Sequence, residues 1–161
     1  MKQFFPETRN QFIPFSIIRR LAALLYDTLI CIALLLTTTG IYMLISGAIM
    51  GADEYKVMND SGQTMHDPLL SSLLFIILFI FFGYFWTKNG QTLGMQVWHL
   101  RVQNKDNSLI SWNQALLRFM TAIPSIGLLG LGYLWSLFDK ESRTWPCMIS
   151  ESEIVRIPKR K

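Results

Sequence analysis

Cysteine, histidine and charge are all scarce in this chain of 161 residues, which has two cysteines, two histidines and only 16% charged residues. Cys31 and Cys147 have neither the count nor the spacing of a disulfide framework or a zinc site. Cys31 lies in an apolar run and reads as a small buried hydrophobe. His66 and His99 fall in different loops without a neighbouring nucleophile or metal-ligand spacing, so both read as solvated surface groups. Neither an enzyme, a metal site nor a cofactor is indicated. The shortage of charge, set beside 51% hydrophobic residues, excludes an ordinary soluble domain. At this length one domain is expected.

Long apolar runs take the place of charge. Arg19-Arg20-Leu21-Ala22-Ala23-Leu24-Leu25-Tyr26-Asp27 leads into an apolar segment that ends near Met50. A greasy run with an arginine pair at its mouth and one carboxylate inside reads as a membrane helix carrying a polar site. At about 100° per residue, Arg20, Asp27, Cys31 and Thr38 fall within roughly 40° of one stripe. Alone in lipid, Asp27 would cost on the order of 3 kcal/mol, so it should face protein, water or a cation. From Leu21 to Met50 the helix is about 45 Å long against a hydrocarbon core of about 30 Å, so it must tilt or protrude. Its length and the further apolar segments distinguish it from a cleavable signal, and it is read as retained.

Residues 1–16, with Pro6 and Pro14, read as an irregular lead-in, and Ser16 as a cap for a helix starting near Ile17. Gly51 to Asp67 is a polar, acidic loop. Leu69 to Trp86 is a second span, nearly featureless and read as a packing and lipid-facing helix. Gly90 and Gly94 then suit a tight helix exit and close backbone packing; the stretch lacks the pattern of a phosphate loop. Gln96 to Gln103 and Ser108 to Trp112 read as two strands of a hairpin around Asn104-Lys105-Asp106-Asn107, with Ile154 to Ile157 as a third strand. Residues 113–138 combine an amphipathic segment, whose polar face is Gln114, Arg118, Thr121 and Ser125, with a break at Pro124 and three glycines. Together they read as one kinked span or as a broken, re-entrant hairpin.

Lysine and arginine number four before Leu21, one from Gly51 to Pro68, four from Thr87 to Arg118 and six from Asp139 onward. Cytoplasmic loops carry that excess, which places the amino-terminus and the hairpin inside and favours the re-entrant reading, with the six-charge tail also inside. The expected architecture is therefore an all-α membrane protein. Two full transmembrane helices and a broken third helical segment form a small bundle with a short cytosolic β-hairpin. Residues 17–157 form the membrane domain and residues 158–161 a basic tail. The basic groups sit beside apolar spans, so they orient the chain and touch anionic lipid, and nucleic acid is not an expected partner.

The chain resembles the RDD family of membrane proteins. Four motifs in order carry the resemblance: Arg20 to Asp27; Gly90-Gln91-Thr92-Leu93-Gly94-Met95 followed by Leu100-Arg101-Val102; Ala115 to Phe119; and Leu134 to Asp139 with Arg143-Thr144-Trp145. By that resemblance Arg20 and Asp27 take the family's arginine and first aspartate. The family's second aspartate slot reads Pro146-Cys147-Met148 here, which leaves Asp139 as the other candidate. The resemblance implies a bacterial inner-membrane protein and a transport role, with sodium/proton exchange proposed for some members.

Two functions follow as expectations. One is a carrier of ions or small solutes that uses an intramembrane pair of Arg20 and Asp27, in which Asp27 binds and releases a proton or a cation and Arg20 tunes it; Thr38, Arg118 and Asp139 are further polar-site candidates. So small a chain would have to assemble, as a homo-oligomer or with a membrane partner, to enclose a path. The other is a membrane scaffold in which Arg20, Asp27 and Arg118 are interhelical glue. Asp27→Asn separates them, because asparagine still hydrogen-bonds but cannot carry the charge.

Overall fold

The computed structural model describes residue 5 and residues 17–62, 64, 67–128, 130–139 and 143–157. Apart from residue 5, the lead-in, with Ser16, lies outside the described residues, as do His66 and the basic tail. Among the described residues, seven helices and two strands follow in the order α1 (Ile17–Met50), α2 (Ala52–Asp60), α3 (Pro68–Lys88), α4 (Leu93–Val97), β1 (Leu100–Asn104), α5 (Trp112–Gly127), α6 (Leu131–Leu134), α7 (Trp145–Ile149) and β2 (Ser152–Arg156). A short 3-10 turn, Trp135–Leu137, follows α6. The chain divides into two compact units, one of residues 1–27 with 81–161 and the other of residues 28–80.

Two helices are long and apolar enough to cross a membrane, Ile18–Met50 and Pro68–Lys88. The apolar runs dictate this directly, since neither contains a proline beyond its first residue or a dense charge cluster. Many of their leucines and isoleucines, among them Leu29, Ile32, Leu36, Leu44, Ile76 and Ile80, are exposed. Exposed apolar surface on this scale needs lipid or a partner to cover it.

Within the unit of residues 28–80, helix starts are set by acidic groups. Asp53 and Glu54 lie in the first turn of α2, where the helix dipole favours them. Asp67 caps α3, its Oδ1 accepting the Leu69 amide at 2.9 Å just before Pro68 opens the helix. Tyr42 on α1 donates its hydroxyl to Asp67 Oδ2. The Gly51 to Asp67 stretch is thus partly helical, where the sequence reads as loop.

The unit of residues 1–27 and 81–161 buries polar groups beside an apolar core that includes Trp86, Met95, Leu100, Val102 and Phe119. Arg20, Asp27, Thr92, Arg101, Gln103, Arg118, Ser125 and Thr144 are buried, while Leu116, Leu117, Met120, Ile123 and Ile126 of α5 are exposed. α5 starts with a capping box: the Ser111 hydroxyl accepts the Gln114 amide, and the Gln114 side chain accepts the Ser111 amide at 2.9 Å. Pro124 does not end the helix, which runs on to Gly127. The break falls beyond it, at Gly130 with φ 78°, and the segments Trp112–Gly127 and Leu131–Leu137 meet at a bend of 107°.

The expected hairpin is corrected. Ser108 to Trp112 form no return strand, because Ser111 is taken as the cap of α5 and the Ser108 carbonyl only closes the turn onto the Asn104 amide. Gln96 and Val97 belong to α4. The partner of β1 is the tail strand, paired antiparallel from Leu100 opposite Arg156 to Asn104 opposite Ser152. A mostly helical chain with two long apolar helices and a two-stranded sheet is the architecture.

The donors from Tyr42 and Leu69 hold the Asp67 carboxyl below the usual carboxylate range. A carboxyl whose pKa is depressed on folding stabilises the fold above its unfolded pKa, about 3.9, and loses that contribution as pH falls through the folded value. Tyr42→Phe should therefore lower Tm in detergent at neutral pH, and the gap to the wild type should shrink in acid; an equal gap at both pH values would count against the contact.

Candidate functional site

Arg20, Ala23 and Asp27 stand at i, i+3 and i+7 on α1 and form its buried face, whereas Leu21, Leu25 and Tyr26 between them are exposed. This face meets the turn that leaves α3. Gly90 carries φ 68°, the left-handed conformation glycine adopts without cost, and its carbonyl accepts the Val102 amide, which anchors β1. Thr92 then caps α4, its hydroxyl oxygen accepting the Met95 amide at 3.3 Å.

Asp27 closes on this cap and is only 4% exposed. Thr92 Oγ1 donates to its Oδ2 at 2.5 Å, and the Gly94 amide donates to its Oδ1 at 2.8 Å. Gly94 has to be glycine: a Cβ there would stand 2.4 Å from the Ala23 carbonyl and 2.9 Å from the Asp27 carboxyl. The small pair Ala23 and Gly94 therefore sets how closely the backbones approach, and that approach puts a backbone amide within reach of the carboxylate. Two oxygens with about four lone-pair positions receive two donors, so acceptor capacity is left over.

The other candidates lie elsewhere. Arg20 is not among the partners of Asp27; its Nη2 donates to the Ile154 carbonyl of β2 at 3.2 Å. Arg118 projects from α5 towards α7 and β2, donating from Nη1 to Ser152 Oγ at 2.6 Å and to Cys147 Sγ at 3.4 Å, with its guanidinium 5.1 Å from the Trp86 ring centroid. Asp139 is engaged by Arg143, whose Nε and Nη2 reach its two oxygens at 3.1 and 3.2 Å. Thr38 belongs to the unit of residues 28–80 and is half-buried. Asp27 thus gathers Thr92 and Gly94 rather than Arg20, Arg118 or Asp139, while Arg20 and Arg118 both lie near Cys147. Gly94 is marked in the sequence by its spacing from Gly90. Thr92 carries a sequence signal too, a threonine immediately before a short helical turn, but nothing local points to its distant carboxylate. Among the described residues no group of three His, Cys, Asp or Glu side chains could hold a metal ion.

The model of the RDD family matches residues 14–151. No curated protein and no solved structure matches the chain.

Gly94→Ala forces carboxyl and carbonyl away from the added methyl. Overpacking of this kind costs about 1–3 kcal/mol, so thermal unfolding in detergent should show a clear loss of stability, while an unchanged Tm would contradict the close approach.

Proposed function

Because the chain belongs to the RDD family, we propose that it is a membrane carrier in which Asp27 binds and releases a proton or a small cation. The observation that carries this reading is a carboxylate buried within a membrane-capable helix, held by two neutral donors and, among the described residues, by no cationic side chain. Such a group is costly unless something offsets its charge. A proton or a cation on its remaining lone pairs does so, and exchange of one for the other is the simplest cycle that uses a single carboxylate. Thr92 and Gly94 fix the carboxylate so that the exchanging species meets a constant geometry. Arg20 lies about 10 Å earlier along the helix and acts on Asp27 through the local field, not by direct pairing. The proposal places the chain in a bacterial inner membrane, both termini cytoplasmic, assembled with copies of itself to enclose a path.

A second reading draws on the same contacts. Asp27 joins α1 to the turn before α4, and a purely structural tie of that sort suits a scaffold that docks another membrane protein.

Purified protein in liposomes loaded with a pH-sensitive dye, challenged with external sodium, potassium or lithium, distinguishes the two. The amide introduced by Asp27→Asn keeps an acceptor for the Gly94 N–H but cannot carry the charge. The carrier reading expects cation-dependent proton flux in the wild type and background flux in Asp27→Asn. Absence of flux in both, with each protein folded and inserted, would overturn exchange of these cations and favour the scaffold.

A further inference from the structure

The second buried cluster has an unusual charge balance. Arg118 is 3% exposed, and its acceptors are a serine hydroxyl and the sulfur of Cys147, with no carboxylate in hydrogen-bond contact among the described residues. Its Nε–H has no acceptor there. A guanidinium cannot release its proton, so a neighbouring group must supply negative charge or the burial goes uncompensated. Ser152 cannot do so at any ordinary pH. Cys147 can.

Cys147 is 1% exposed on α7, and besides Arg118 it takes a hydrogen bond from Thr144 Oγ1 at 3.1 Å. Three elements face it with ionisable groups: α5 with Arg118, α1 with Arg20 and α6 with Tyr133. Burial alone pushes the thiol up, yet the two guanidinium groups and the Thr144 hydroxyl outweigh it and leave the thiol below its ordinary value. Both Cys147 and Ser152 also line a cavity of about 950 Å³, together with Lys88, Lys105, Gln114 and Arg143, so the thiol borders this cavity while Arg118 and Thr144 lie behind it.

We propose that Cys147 and Arg118 form a reactive thiol site that takes small soft electrophiles entering through this cavity. With an activated alkene such as a maleimide, the thiolate sulfur forms a bond to one alkene carbon, the carbon–carbon π bond breaks towards the carbonyl, and the resulting enolate takes a proton from water. Arg118 keeps the sulfur ionised until the bond forms, which makes it a positioning residue. Thr144 supports the same state with its single donor. The site is independent of the transport reading, since none of its groups touches Asp27.

The test is alkylation by N-ethylmaleimide of the full chain, folded in detergent, in a Cys31→Ser background so that one thiol reports. The rate should rise with pH to a midpoint below that of the same thiol in the unfolded chain, where a free cysteine titrates near about 8.5. Thr144→Val should raise the midpoint, and Arg118→Lys, which retains the charge, should keep it below the unfolded value. The ultraviolet absorbance of the thiolate, which needs no access, should titrate with the same midpoint. A midpoint at or above the unfolded value would overturn the proposal, and so would a folded chain that resists alkylation throughout.

Discussion

The contact between the Asp27 carboxylate and the start of α4 holds the described polar core in register. It spans 67 residues of sequence and joins the first long helix to the turn that follows the second. A hydrogen bond to a charged acceptor contributes about 1.5–3 kcal/mol, more than most single contacts, and a buried carboxylate stripped of donors costs at least as much. Everything near it conforms to that demand. Ala23 and Gly94 are small so that backbones can approach, Gly90 turns the chain, and Thr92 serves both the helix cap and the carboxylate. β1 is then hung from the same turn through the Gly90 carbonyl and the Gln91 side chain.

A second principle shapes the same unit. It buries several polar groups beside an apolar core and leaves many leucines and isoleucines exposed, a distribution that suits apolar surroundings. Placing charge inside then requires every buried ion to find a partner of its own. Asp27 finds a helix cap, Arg20 finds the Ile154 carbonyl, and Arg118 finds Ser152, the Trp86 ring and a cysteine. The last of these stands where the family resemblance leads one to look for an aspartate, and a thiol supplies negative charge there only when it has lost its proton.

Much of this is legible in the residues. The two long helices follow from unbroken apolar runs, and the buried stripe of α1 from the spacing of Arg20 and Asp27. The glycine pair announces close packing. What escapes is what depends on distance in sequence. Ser108 to Trp112 resembles a partner for β1 because nearby segments are the natural choice for a hairpin, but the capping box at Ser111 claims that segment for α5, and the tail pairs instead. Asp27 and Arg20 share a helix face, so a mutual pairing is the local expectation; seven residues is about two turns, and each side chain meets nearer partners. Arg118 and Cys147 are 29 residues apart and are brought together only by the packing of α7 on α5.

The carboxylate and the cap of α4 stabilise one another, and a double-mutant cycle built from Asp27→Ala, Thr92→Val and the pair, read as unfolding free energies in detergent, measures that directly. Coupling of about 1 kcal/mol or more is the predicted result. Effects that add, with no coupling, would contradict it.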